Sequence, residues 1–179
     1  MKKSILAFAF TAAAVAFAAR NPIVGGNEMF PSKDIIDNAV NSADHTTLVA
    51  AVKAAGLVDT LKGPGPFTVF APTNAAFQKL PPDVVPMLLK PENKEALTKI
   101  LTYHVVAGKW SAADLKQMIK KAGGKAELKT VSGGKLWATL HNNMIVLHDE
   151  MGGMATVTQA DVFQSNGVIH VIDSVVQPK

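Results

Sequence analysis

The sequence predicts an α+β fold in which short helices come first and most strands come later. Segments with apolar residues at helical spacing, each preceded by a capping residue, dominate the first half of the chain. Segments of alternating or β-branched apolar residues, separated by glycine and asparagine turns, dominate the second half. No composition shift or long linker divides residues 32–178, so we expect a single domain there.

Polar residues able to accept hydrogen bonds from first-turn amides precede most of the helical segments. Glycine or proline follows them, as expected where a helix ends. The predicted helices begin after caps at Asp34, Asp44, Thr73 and Ser111, and two further short helices cover Asp83–Leu89 and Glu92–Leu101.

The strand segments are short, apolar and bounded by turn residues. A one-residue shift of register would expose their apolar side chains, so the pattern also predicts which face is buried. The predicted strands are Phe67–Phe70, Tyr103–Val106, Ala126–Val131, Lys135–His141, Met144–Asp149, Ala155–Phe163 and Val168–Val176.

One hairpin can be predicted at the level of individual pairs. A two-residue turn at Asn142-Asn143 pairs His141 with Met144 and Trp137 with His148. The apolar side chains of the alternate positions then face the core. The opposite face is more polar and is the predicted contact surface; it carries Trp137, Thr139, His141, Met144, Val146 and His148.

The N-terminal segment has the pattern of a targeting signal. Two lysines precede an almost purely apolar run, which ends in the small-residue pattern Ala16-Phe17-Ala18. We expect residues 1–18 to be a signal peptide cleaved near Ala18, because the run is short of the roughly 20 residues of a membrane span. A retained membrane anchor is the alternative. Asparagine, proline and glycine in residues 19–31 predict a flexible leader without regular structure.

Composition excludes several classes of function. The chain has 179 residues, of which 48% are apolar, so it is not a disordered protein. It contains no cysteine, which excludes disulfides, thiolate metal sites and a cysteine nucleophile. The net charge of +4 is small, and no dense basic patch interleaves with aromatic residues. We therefore expect no nucleic-acid partner.

Three motifs in a fixed order point to a known family. They are "FTVFAPTNAAFQKLP" at residues 67–81, "LTYHVVAG" at 101–108 and "SNGVIHVIDSVVQP" at 165–178. Together they closely resemble the hallmarks of the fasciclin (FAS1) domain family, in its secreted single-domain bacterial form. The resemblance covers about residues 29–178 and implies a wedge-shaped α+β domain, with a twisted β-sandwich flanked by several short helices.

The same resemblance implies a non-catalytic role in cell adhesion or in contact with the cell surface or matrix. In animal members the Tyr-His region is tied to integrin binding, which makes Tyr103 and His104 candidate interaction residues by analogy. Their own chemistry predicts instead that they link elements through buried hydrogen bonds. The candidate interaction residues are Tyr103, His104, Trp137, His141 and His148. We expect a monomer whose partner is a cell-surface protein or polysaccharide.

No catalytic or metal-binding constellation stands out. GxSxG and HExxH are absent, and His170, Asp173 and Ser174 lie along one strand whose side chains alternate between faces. His141 and His148 beside Met144 give a weak metal-site signal, outweighed by the interpretation as exposed strand histidines, so we expect no metal or cofactor.

Two alternatives stay open. The lysines Lys116, Lys120 and Lys121 on one helix are typical of a solvated face, although an anionic polysaccharide is a possible ligand. The alternative function is that of a periplasmic carrier, which would hold a small apolar ligand or pigment in a gap between sheet and helices.

Overall fold

One seven-stranded sheet organises the computed structural model, which describes residues 21–179. The predicted signal peptide, residues 1–18, lies outside the described residues. The strands are β1 (Ile23–Val24), β2 (Asn27–Glu28), β3 (Phe67–Pro72), β4 (Val105–Ala107), β5 (Lys125–Lys129), β6 (Lys135–His141), β7 (Met144–His148), β8 (Met154–Gln164) and β9 (Gly167–Ile172). The helices are α1 (Ile35–Ala39), α2 (Thr46–Ala55), α3 (Val58–Lys62), α4 (Asn74–Gln78), α5 (Val84–Leu88), α6 (Lys94–Tyr103) and α7 (Ala112–Lys121).

The sheet curls until its two end strands almost meet. Its strand order is β4-β3-β9-β8-β7-β6-β5, and β3 with β9 is the parallel pair among antiparallel neighbours. An isolated bridge joins Val106 of β4 to Thr130, the residue after β5. The backbone N–H of Val131 also donates to the carbonyl of Val105 at 2.8 Å. The architecture is therefore an α+β near-barrel, in which one curved sheet forms both of the β-layers that face each other across the inner core.

Two apolar cores lie on opposite faces of β3 and β9. Inside the curl, Phe70 packs with residues from all parts of the sheet, and Leu115 and Ile119 of α7 cover the opening. On the other face, Val69 and Ile169 pack against the helices of the first half. Both faces of these central strands are thus buried, which explains why their sequences are almost continuously apolar.

The N-terminal stretch differs from the prediction. Residues 21–31 were expected to lack regular structure, but β1 and β2 form a small antiparallel hairpin. Gly25 and Gly26 form its turn with positive φ angles. Val24 and Met29 are buried in the helical core, 6% and 1% exposed. Burial of these two side chains offsets the weak intrinsic preference of the segment for strand.

Two local predictions are wrong. Asp44 does not cap α2, because residues Ala43–His45 form a 3-10 turn and place His45 at the cap position. The strand predicted over Tyr103–Val106 begins two residues later, since Tyr103 ends α6 and His104 is its C-cap. At α6 the helix continues to Tyr103, whose side chain is buried in the core, and this packing outweighs the local pattern. At α2 the 3-10 turn instead buries the side chain of His45.

Candidate interaction surface

The turn between β6 and β7 sets the geometry of the candidate surface. Asn142 and Asn143 have φ angles of 48° and 64°, the left-handed region that a two-residue hairpin turn requires. The pairs His141–Met144 and Trp137–His148 are present, so the predicted register is confirmed. We use the name hairpin face for the six side chains predicted to point outward, Trp137, Thr139, His141, Met144, Val146 and His148.

The alternation across the hairpin is also confirmed. The inward positions are buried apart from Leu140, which is partly exposed. On the hairpin face, His141 and Met144 are exposed, while the other four side chains are half-buried. The Oγ1 atom of Thr139 lies 2.9 Å from Nε2 of His148, so a hydrogen bond fixes that imidazole.

Neighbouring strands extend the hairpin face on both sides. Opposite His148 on β8 lies Met154, and opposite Trp137 on β5 lies Glu127. The side chain of Met154 is 63% exposed and that of Met144 is 47% exposed. Thioether side chains are polarisable and adapt to varied partners. The surface therefore combines exposed apolar atoms with an aromatic ring and imidazoles, a composition suited to binding.

Charged groups border this surface on the β5 side. The ammonium of Lys125 lies 4.9 Å from the centre of the Trp137 ring, a cation–π contact. The ammonium of Lys135 lies 3.1 Å from a carboxylate oxygen of Glu127. Neither Lys125 nor Met154 was among the residues predicted to interact. The alternation pattern of β5 could have pointed to Lys125, but the pairing of β7 with β8 was not predicted.

Tyr103 lies in the interior rather than on the hairpin face. Its side chain is fully buried inside the curled sheet. Its hydroxyl donates to the carbonyl of Lys135 at 2.6 Å and accepts from the N–H of Glu150 at 3.2 Å. Burial raises the pKa of the Tyr103 hydroxyl to about 12, so it stays protonated. The side chain links α6 to the β6 strand and to the turn after β7.

His104 is also an interior residue. Its Nδ1 lies 2.8 Å from the carbonyl of Ile100, and the N–H of Val176 donates to its Nε2 at 3.2 Å. These partners select the neutral tautomer with the proton on Nδ1. Burial lowers the pKa of His104 to about 4. The Tyr-His pair thus makes the buried hydrogen bonds that its chemistry predicted, and neither side chain reaches the hairpin face.

His170, Asp173 and Ser174 do not form a hydrogen-bonded triad, in line with the alternation of side chains predicted for this segment. His170 is fully buried, with Nε2 2.8 Å from the Trp110 carbonyl and Nδ1 accepting from the N–H of Asp161. The hydroxyl of Ser174 donates to the carboxylate of Asp173, not to an imidazole. Across residues 21–179, no three His, Asp or Glu side chains cluster closely enough to hold a metal ion.

A small apolar cavity lies between the sheet and the helices. Its volume is about 60 Å³, and it is lined mainly by aliphatic side chains, among them Ile36, Leu48, Val52, Leu101 and Ile169. A cavity of about 150 Å³ is known to hold benzene. The space in this conformation is therefore too small for a pigment.

Comparison with known proteins identifies the family. The Fasciclin domain family matches residues 43–178, which is most of the chain. The chain belongs to the fasciclin domain family. This confirms the resemblance drawn from the three motifs.

Several relatives share this domain. Protein sll1483 of Synechocystis is 47% identical over 144 residues, covering 80% of this chain and 73% of that protein. Immunogenic protein MPB70 of Mycobacterium bovis is 37% identical over 168 residues, covering 90% of this chain and 78% of that protein. Transforming growth factor-beta-induced protein ig-h3 of Sus scrofa is 35% identical, over 83% of this chain and 20% of its own length.

A solved structure confirms the predicted α+β fasciclin fold. The FAS1 domain pair of the insect cell adhesion molecule fasciclin I superposes with a TM-score of 0.73 at 20% identity. The match covers 81% of this chain and about half, 51%, of the fasciclin I chain. Among residues 21–179, no helix has the length and apolar character needed to cross a membrane.

Proposed function

We propose that this fasciclin domain is a secreted, non-catalytic binding module that acts in cell adhesion or in contact with the cell surface or matrix. The observation that carries the proposal is the hairpin face together with Met154 on the neighbouring strand β8. Met144 and Met154 are exposed there, and Trp137 is half-buried beside them on the same face of the sheet. Solvent-exposed apolar side chains cost free energy in an isolated protein, so a cluster of them indicates a contact surface.

The relatives support the same class of function. Fasciclin I is described as a cell adhesion molecule, and one mycobacterial relative, 34% identical over 168 residues, is named a cell surface glycolipoprotein. The carrier alternative is less well supported, because the apolar cavity between sheet and helices measures only about 60 Å³. The exposed side chains of the hairpin face therefore favour binding at the outer surface over storage of a ligand inside the protein.

Binding of the labelled exported protein to intact cells of the producing organism tests the proposal. We expect the double variant Trp137→Ala/Met144→Ala to lose most of the binding while it stays folded. A matched control is Met87→Ala/Val40→Ala, which removes two side chains that are 50% and 47% exposed elsewhere. Equal binding by wild type and both double variants would exclude the hairpin face as the contact surface.

His104→Ala separates a structural role from a contact role for the Tyr-His pair. Because His104 is 2% exposed and bonded on both ring nitrogens, we expect a loss of stability of roughly 2–4 kcal/mol. Cell binding per folded molecule should be retained. An unchanged melting temperature combined with lost cell binding would instead make His104 a contact residue.

A further inference from the structure

Positive charge is concentrated in one segment of the chain. Residues 109–135, here called the basic segment, contain seven lysines and two carboxylates, a net charge of +5. The other residues between 21 and 179 contain eight lysines and twelve carboxylates, a net charge of −4. Such separation creates a local positive potential on a molecule whose total charge is small.

Little of this positive charge is neutralised by the protein itself. Among the described residues, Lys135 is the one lysine of the basic segment within 4.0 Å of a carboxylate, that of Glu127. The other carboxylate, Asp114, accepts hydrogen bonds from Ser111 in the capping box of α7. The four lysines around the junction of α7 and β5 are exposed and have no such partner within residues 21–179; they are Lys120, Lys121, Lys125 and Lys129.

These four lysines lie along one border of the molecule. Lys125 and Lys129 alternate with buried residues on β5, so both project from the outer face of the sheet. At the usual rise of a strand their backbones are about 14 Å apart. Lys120 and Lys121 end α7 only a short turn before β5 begins. The outer face of β5 that carries Lys125 and Lys129 is exposed to solvent, so a ligand can lie along it.

Trp137 adds an aromatic surface to this border. It lies on the strand next to β5, half-buried, with the Lys125 ammonium held 4.9 Å from its ring centre. The contact restrains the ammonium and lowers the entropy lost when it binds an anion. Sugar rings present apolar C–H faces that pack on aromatic rings, and uronate carboxylates pair with ammonium groups.

We propose that the border formed by Lys120, Lys121, Lys125, Lys129 and Trp137 binds an acidic polysaccharide of the polyuronate type. This inference rests on the proposed function, for which it names the partner. A polyuronate offers repeated carboxylates and sugar rings along an extended chain, which matches lysines spaced along the outer face of a strand beside an aromatic side chain. Lysines on an end strand also prevent the sheets of two molecules from pairing edge to edge. That alternative role would not require the lysines to bind a polysaccharide.

Titration of the exported protein with polygalacturonate tests the assignment. We expect wild-type binding that weakens as salt is raised, since the contact is between exposed charges. The variant Lys120→Gln/Lys125→Gln/Lys129→Gln should bind about tenfold more weakly, because each exposed ion pair contributes roughly 0.5 kcal/mol. The control Lys53→Gln/Lys90→Gln/Lys94→Gln removes the same charge from exposed positions outside the basic segment and should bind like wild type.

Three results would overturn the proposal. An equal loss in both triple variants would show a net-charge effect without a site, and equal binding to neutral dextran would exclude recognition of carboxylates. Binding to phosphatidylglycerol vesicles but not to polygalacturonate would assign the lysines to a membrane surface. If the wild-type protein does not bind polygalacturonate but still binds cells, the assignment of the ligand is wrong and the proposed function stands. If the wild-type protein binds neither cells nor polygalacturonate, both fall.

Discussion

Asn166 links three separate segments of the chain through one buried side chain. Its Oδ1 accepts from the N–H of Ile35 at 3.0 Å, at the start of α1. Its Nδ2 donates to the carbonyls of Leu61 and Gly63 at 2.7 and 2.9 Å, at the end of α3. From the sequence alone, the position of Asn166 before Gly167 is typical of a turn residue. The structure adds the reason why asparagine is suited to this position: its amide offers a donor and an acceptor at once.

Asn166→Ala should therefore be strongly destabilising. It would leave the Ile35 N–H and two carbonyls without partners in a region where Asn166 is 6% exposed. Buried groups without partners cost about 1–3 kcal/mol each, and water can relieve part of that cost, so we expect a loss of roughly 3 kcal/mol in urea unfolding. Asn27→Ala, which removes one hydrogen bond at an exposed site, is the control and should cost less than about 1 kcal/mol. Similar costs for the two variants would contradict a linking role for Asn166.

At the scale of single elements, local chemistry determines where several helices begin. Asp34, Thr73 and Ser111 each accept a hydrogen bond from a backbone N–H in the first turn of α1, α4 and α7. Ser111 also belongs to a full capping box, since the Asp114 carboxylate accepts from the Ser111 N–H at 3.0 Å. The hydrogen bonds from the Ser111 side chain and N–H hold the pKa of Asp114 below its usual value.

Ser111→Ala should destabilise the protein by about 1 kcal/mol, because the N–H of Asp114 loses its acceptor and the Asp114 carboxylate loses one of its two donors. Equilibrium unfolding in urea measures the change. Ser165→Ala is the matched control, since Ser165 is exposed and its side chain makes no hydrogen bond within residues 21–179. An equal effect of the two substitutions would mean that the cap contributes nothing measurable to stability.

Several features that depend on residues close together in the sequence were predicted correctly, whereas features that depend on residues far apart were not. The register of β6 with β7 and the caps of α1, α4 and α7 depend on neighbours within a few residues, and these predictions are confirmed. The parallel pairing of β3 with β9 joins residues about a hundred positions apart and left no local signal of register. The N-terminal hairpin also escaped prediction, because the contacts that bury Val24 and Met29 come from distant segments.

The same limit applies to the candidate site. The alternation of β6 and β7 placed Trp137, His141 and His148 on the outward face, where the structure has them. Met154 joins that surface only through the pairing of β7 with β8. The motif carrying Tyr103 and His104 suggested a contact site by analogy, but their interior positions depend on packing against β6, the turn after β7 and the C-terminal segment. That Trp137, His141 and His148 bind a partner stays a prediction.

For the whole molecule, three buried histidines make stability depend on pH. Burial lowers the pKa of His45, His104 and His170, that of His104 to about 4. In His104 and His170 one ring nitrogen faces a carbonyl while the other accepts from a backbone N–H. In His45, Nδ1 lies 2.8 Å from the Ser42 hydroxyl, and Nε2 lies 3.4 Å from the Ala71 carbonyl. A second proton on any of these rings would remove an acceptor inside the fold.

Acid should therefore weaken the fold. Below about pH 6.5 the unfolded chain takes up protons that the native histidines do not bind, so the free energy of unfolding falls as pH decreases. For His104 the decrease continues to about pH 4 and is on the order of 3 kcal/mol. Urea unfolding at a series of pH values between 7.5 and 4 measures this slope. His104→Gln, whose amide does not titrate, should start from a lower stability and show a shallower slope, while His141→Gln at an exposed position should follow wild type. A wild-type stability that is constant over this range would mean that the buried imidazoles take up protons in the native state as readily as in the unfolded chain.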